Sequence, residues 1–338
     1  MQVQLNDQSS EQKASRVSPL LKNLFALSYT LSAYAIGITL LLASFWLFNL
    51  LGVILIVHSL LLATAFTHEF IHDNIFKSKN LNRFWGTVMT HLNGACYSPW
   101  DALMRHHINH HVYHVDFIPF DYANFVANLN PVLRNILIAL EWAYIPAFEL
   151  IIRGYVIVAP FRQAGKHHLR SRTLLLMLYR VACFGLLGWL SWRALVLYGV
   201  AYVCFVLVMR FVDTFHHTYE YVIQGETAPK FDRVYEQENT FSNIVSIKYP
   251  WLNLLYLNFG YHNAHHHNMR CPWHELPALH EKLYGREDGQ LASFPQLAMN
   301  YHKFRLARLT SGQGETITET ATIAEFTGAV GVSFLTPP

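Results

Sequence analysis

Charged residues are scarce in this sequence. Of 338 residues only 14% are Asp, Glu, Lys or Arg, while 52% are hydrophobic. An ordinary soluble domain carries roughly 25% charged residues, so a water-facing surface over the whole chain is excluded. The formal net charge of +3 is too small for a nucleic-acid binder and suits basic loops beside anionic lipid headgroups. Cysteine is scarce too. Cys96, Cys183, Cys204 and Cys271 form no CxxC pair, which argues against a disulfide framework and against thiolate zinc or iron–sulfur sites. There is no GxxxxGK[ST] phosphate loop, no internal repeat and no low-complexity linker. A cleavable signal peptide is not evident either: residues 1–22 are polar and end in Lys22, which reads as an N-terminal tail.

Apolar length is what the chain has instead. Leu24 to Phe66 contains no Asp, Glu, Lys or Arg and is far longer than the roughly 20 residues one crossing needs. It reads as a helical hairpin turning near Phe45–Gly52. A second hairpin covers Thr173 to Val212 and turns near Trp189–Ala194, where Arg193 and two Trp suit an interface. Lys13, Arg16, Lys22, Lys77, Lys79, Arg83, Arg105, Arg162, Lys166, Arg170 and Arg172 lie outside both hairpins. The positive-inside rule therefore puts both termini in the cytoplasm. Asn135–Phe161 is apolar but carries Glu141, Pro146, Glu149, Arg153 and Pro160, so an interfacial or re-entrant helix is expected there. Residues 310–338 read as a peripheral C-terminal tail. The expectation is one membrane-embedded domain over 1–338. It would be an all-α integral membrane protein with about four transmembrane helices in two hairpins and a cytoplasmic helical cap.

The chemistry lies in the histidines. There are 20 of them, nearly as many as the 22 Asp and Glu together. His68 and His72 form HEFIH, spaced to share one face of a helix. His107, His110 and His111 repeat that geometry as HINHH, and His262, His265 and His266 as HNAHH. His106 and His267 offer alternative registers. A further pair, His216 and His217, follows the second hairpin. Each cluster alone reads equally as a solvated or interfacial polar segment; three repeats on one predicted side do not. His58, His91, His114, His167, His168, His274, His280 and His302 fall outside the pattern. Eight pattern histidines plus one of the pair exceed what one metal takes and imply two. Neutral imidazole suits zinc, copper, iron and nickel alike, so spacing does not name the metal.

The order of HEFIH, HINHH and HNAHH, with hairpins before the first and third, resembles the membrane fatty acid desaturase and hydroxylase superfamily over roughly residues 24–290. CPWHELPALH after the last box is similar to members acting on acyl lipids. The resemblance implies a non-haem di-iron centre: two iron ions that use O2 as co-substrate against unactivated C–H bonds. It implies His68, His72, His107, His110, His111, His262, His265 and His266 as ligands, with His217 or, alternatively, His216 as the ninth. With no fused cytochrome b5 segment in view, electrons would come from a separate ferredoxin, rubredoxin or cytochrome with its reductase. Ligating imidazoles usually donate their second N–H to a carboxylate or carbonyl, which nominates Glu69, Asp101 and Asp213, with Asp73, Asp116 and Glu220 beside them.

Fatty acid desaturation in the lipid membrane is the leading expectation. Hydroxylation of a lipid or carotenoid, and oxidative decarboxylation of a fatty acid to a terminal alkene, share the scaffold. A His-rich metal transporter is the non-enzyme alternative, but its ligands belong near the bilayer midplane, not beyond helix ends. A membrane haem cytochrome would need paired axial histidines within facing helices, and only His58 lies deep in an apolar run.

Overall fold

The computed structural model describes residues 18–285, 290–310 and 326–329. Its first two helices, α1 (Pro19–Leu41) and α2 (Trp46–Ile71), pack antiparallel. Ser18 caps α1 by accepting the Leu21 N–H, with Pro19 at the first helical position. The turn falls at residues 42–45, just before the expected position. Asn49 holds this turn: its Nδ2 donates to the carbonyls of Leu40, Leu41 and Ala43 around the end of α1. Gly52 is helical and serves close packing instead, since a Cβ there would lie 2.9 Å from the Gly37 carbonyl oxygen.

After α3 (Lys79–Asn93) and α4 (Trp100–Tyr113), a short strand β1 (Asp116–Ile118) leads to α5 (Tyr122–Ala127). Gly86 lets α3 and α4 meet, because a Cβ there would stand 2.1 Å from the Trp100 ring. Next come α6 (Pro131–Trp142) and α7 (Ala147–Arg162), bent by 120° relative to each other. This is no straight crossing, and its two buried carboxylates face arginines. Glu141 pairs with Arg210 at 2.7 Å and accepts the Phe148 N–H, while Glu149 faces Arg153 at 3.5 Å.

The second hairpin consists of α8 (Arg170–Leu190) and α9 (Trp192–Asp213), the latter capped by Ser191. Four helical spans are long and apolar enough to cross a membrane: α1, α2, α8 with its preceding turn, and α9. Both hairpin tips meet at one end, where the Arg193 guanidinium donates to the Ala43 and Ser44 carbonyls. At the opposite end Trp273 Nε1 donates to Asn23 Oδ1, and Asn23 Nδ2 donates to the Ile75 carbonyl. The start of α1 is thereby tied to the segments following the first and third histidine boxes.

Strand β2 (Tyr221–Ile223) pairs in parallel with β1, Asp116 opposite Tyr221. The remaining helices, α10 (Arg233–Glu238), α11 (His262–His267), α12 (Leu276–Tyr284) and α13 (Phe294–Lys303), are short and belong to the polar end. The described part of the C-terminal tail is not peripheral. Phe326 is buried against Phe215 and the Ala329 N–H donates to the Thr214 carbonyl, because a bare apolar surface beside α9 needs cover. Residues 311–325 and 330–338 of that tail, and residues 1–17 of the N-terminal one, lie outside the described residues.

Candidate metal centre

Three helices and one loop bring the boxes together. His68 sits in the last turn of α2 and His72 caps it; α4 supplies His107, His110 and His111; α11 supplies His262, His265 and His266. His217 arrives from the loop after α9. The nine imidazoles fall into two groups, His68, His72, His107, His111 and His265 in one, His110, His217, His262 and His266 in the other, and Glu236 forms a third candidate set with His111 and His266 across them. Within each, the candidate ligand nitrogens all lie within 4.8 Å of one another. Eight of the nine are buried, and His110 exposes 12% of its side chain.

The closest approaches are nitrogen to nitrogen. His72 Nε2 is 2.9 Å from His107 Nε2, and His111 Nε2 is 3.2 Å from both His107 and His265 Nε2. In the second group His217 Nε2 stands 3.2 Å from His110 Nε2 and 2.8 Å from His262 Nε2. Imidazole binds a metal at roughly 2.0–2.1 Å, so two ligands at right angles have nitrogens about 3 Å apart. The spacing fits. His266 gives the sharpest test: its Nδ1 meets Glu236, which leaves Nε2 buried without a hydrogen-bond partner. A buried polar atom in that condition is costly unless something else binds it.

Burial, and then neighbouring histidines, push His72, His107, His111, His217, His262, His265 and His266 well below the usual imidazole range. These rings are neutral at physiological pH, the state in which they ligate metals. His110 differs. Burial opposes its protonation, yet the Asp116 carboxylate at 3.0 Å brings its net shift above the usual range.

The supporting carboxylates are only partly those the sequence suggested. His110 Nδ1 donates to the Val115 carbonyl with Asp116 Oδ1 also 3.0 Å away, and Glu69 lies 3.7 Å from His68 Nδ1 while accepting the Trp273 N–H. Asp213 faces His216 Nδ1 at 3.7 Å, so it does not reach a member of either group through that contact. Asp101 plays no such part: it makes a bidentate pair with Arg83 on the exposed side of α4. Asp73 accepts from Asn82, and Glu220 acts through its carbonyl, which accepts the Asp116 N–H. Glu236 was not foreseen. Its Oε1 lies 3.1 Å from His266 Nδ1, and its Oε2 faces His114 at 3.5 Å and Arg233 at 2.9 Å. Its distance in sequence from every box hid it. His114, set aside by spacing, joins this network.

The alternative ligands fall outside both groups. His216 Nε2 pairs with Asn243 Oδ1 at 2.8 Å, its ring stacked 4.0 Å from that of His262. His106 packs on Phe117, and His267 is exposed. Beside the groups lies a void of about 30 Å³, room for one small molecule, reached by His107, His110, Asp116, Asp213, His217 and His262.

The family model for fatty acid desaturase matches residues 44–296, a stretch containing all nine grouped histidines, and the chain belongs to that family. No curated protein matched the chain. Membership makes it an oxidoreductase, and the four apolar helices make it a membrane protein.

Proposed function

We propose that this chain binds two iron ions, one in each histidine group, and desaturates a fatty acyl chain. The overall change takes two hydrogens from adjacent carbons, consumes O2, two electrons and two protons, and releases two waters. Iron supplies the redox chemistry with O2, which zinc lacks. The observation that carries this reading is the division of nine imidazoles into groups of five and four.

The chain's own residues account for the rest. His110 Nδ1–H donates to the Val115 carbonyl with the Asp116 carboxylate 3.0 Å away, and His266 Nδ1–H donates to Glu236, which fixes the orientation of both rings. The water-sized void abuts the four-histidine group, the one with fewer protein ligands, and so offers room for O2. Phe117 and Phe259 in its wall limit water there. Positive-inside placement supports a cytoplasmic centre, reached by acyl chains from the adjoining bilayer. Electrons come from a separate ferredoxin, rubredoxin or cytochrome with its reductase.

The test is anaerobic reconstitution with iron, followed by O2, a reductase system and deuterium-labelled fatty acids of several lengths. Mass spectrometry should find a dehydrogenated product. Hydroxylated or chain-shortened alkene products would reassign the outcome of the same oxidative chemistry. Turnover without O2 or reductant would refute it.

A further inference from the structure

A second cavity, of about 380 Å³, lies in the membrane-spanning part, between the end of α3, α7, α8 and α9. Its walls are largely apolar, among them Leu92, Ile157, Phe184 and Leu195, yet two guanidinium groups, Arg153 and Arg180, line it. Arg180 stands midway along the 21-residue α8, about 15 Å from the helix start and hence near the centre of a hydrocarbon core about 30 Å thick. A cation at that depth is costly and marks a site with a partner. Arg153 has a carboxylate, Glu149. Among the described residues Arg180 has none: its Nη2 donates to the His91 carbonyl and to Cys96 Sγ. A guanidinium carries five N–H donors, so that arrangement leaves capacity for an anion.

The mouth faces lipid. Gly199 lines the cavity on α9 and is exposed, as is its neighbour Val200, on the apolar outer surface of the bundle. The volume sits at the low end of ligand pockets and suits one acyl chain in preference to the two of a phospholipid. We infer that this cavity binds a free fatty acid, its carboxylate against Arg180 and its chain along the apolar wall. Tyr97, Tyr198 and Tyr202 add hydroxyl-bearing side chains to the same lining. Binding here stands apart from the reaction proposed above and is read without turnover.

The experiment uses the full chain in detergent and a photoreactive diazirine fatty acid, with labelled peptides mapped by mass spectrometry. Labelling is expected within residues 92–97, 153–157, 180–184 or 195–202. Free laurate should compete, while methyl laurate should be at least about tenfold weaker, having lost the charge-assisted bond. Gly199→Leu provides one variant: Gly199 lines the cavity at its exposed side and a Cβ there meets nothing within 4 Å, so bulk is added at the mouth without a clash at Cβ. It should abolish labelling with iron content and elution volume unchanged. Arg180→Gln should weaken labelling at least about tenfold, and Arg180→Lys less. Labelling indifferent to Gly199→Leu, or equal competition by the methyl ester, would overturn the assignment. So would displacement by phosphatidylglycerol but not laurate. Arg180 would then serve only to cap the last turn of α3.

Discussion

Replacing Glu236 should weaken one metal site and spare the other. Glu236 is 1% exposed and its contact is with His266 of the four-histidine group at 3.1 Å, the ligand nitrogen of His111 in the other group lying farther off but within 4.8 Å. Without the carboxylate, His266 Nδ1 loses its partner and the ring loses its fixed tautomer and orientation. Removing such a support typically costs 10–100-fold in metal affinity, about 1.4–2.8 kcal/mol. Glu236→Gln keeps an acceptor without the charge and belongs at the low end; Glu236→Ala belongs at the high end. Arg233→Ala is the control. Arg233 also contacts Glu236, but 59% of its side chain is exposed, and such pairs contribute about 0–1 kcal/mol, so less than about fivefold is expected. The assay is iron retention against a graded chelator. Wild type should release both ions over a similar range, and Glu236→Ala should release one early and one late. Unchanged retention of both, or parallel loss of both from a protein that still elutes as folded, would refute the assignment of Glu236 and the division into two groups.

Alanine at His265 should lower iron through the five-histidine group and alanine at His110 through the four-histidine group, each abolishing turnover. His302→Ala, far from both groups in the contacts it makes with Tyr144, should leave iron content intact. Full activity in either ligand variant would remove that residue from the centre. Sidedness is checked by impermeant thiol reagents: Cys introduced at the exposed Ser44 or Trp192 near the hairpin tips should react from the non-cytoplasmic side, and at Lys77 or Arg270 only from the cytoplasm. Labelling of residues 77 and 270 from opposite sides would be incompatible with one centre. The metal-free protein should lose stability in acid. The seven imidazoles held below their ordinary value are neutral when folded and protonate more readily when unfolded. Stability is therefore full above about pH 6.5 and falls as pH drops below it, by up to about 1.4 kcal/mol per pH unit for each such group. A flat thermal-melt profile from pH 7 to 5 would contradict their burial in the neutral state.

The hairpins and the histidine groups were legible because each rests on a local period. Length and absence of charge mark a crossing, and the i, i+3, i+4 spacing of HINHH survives in α4 as one helical face. His216 and His217 part by tertiary direction instead: one ring turns to Asn243, the other toward His110 and His262. Residues 135–161 looked irregular because their charges have partners remote in sequence, Arg210 for Glu141 above all. Carboxylates were the least legible feature. Asp101 and Asp116 lie on either side of the same histidine box, yet one faces Arg83 outside and the other His110 inside. No local pattern separates them. Only the β1–β2 pairing, which seats Asp116 opposite Tyr221, decides it.

That placement also answers an electrostatic problem posed by the ligand set. With two divalent cations bound as proposed, nine imidazole ligands would bring no negative charge to offset them in a buried site. Were carboxylates the direct ligands, the charge would be neutralised at once, but the metal would be held by harder oxygen donors. Here the negative charge stands one ring further out: Asp116 behind His110 and Glu236 behind His266, with Glu69 close to His68. Each imidazole transmits the carboxylate's effect to its ligating nitrogen by becoming a stronger base. The two groups do not share this evenly. The four-histidine group has two such carboxylates at 3.0 and 3.1 Å, while Glu69 stands 3.7 Å from His68 of the five-histidine group and Glu236 within 4.8 Å of its His111. The site with fewer imidazoles thus has the closer compensating charge, and it gives three of its four histidines to the wall of the void, against His107 alone from the other group. An asymmetry of this kind suits one ion held mainly by ligand number and a second tuned to exchange a small molecule.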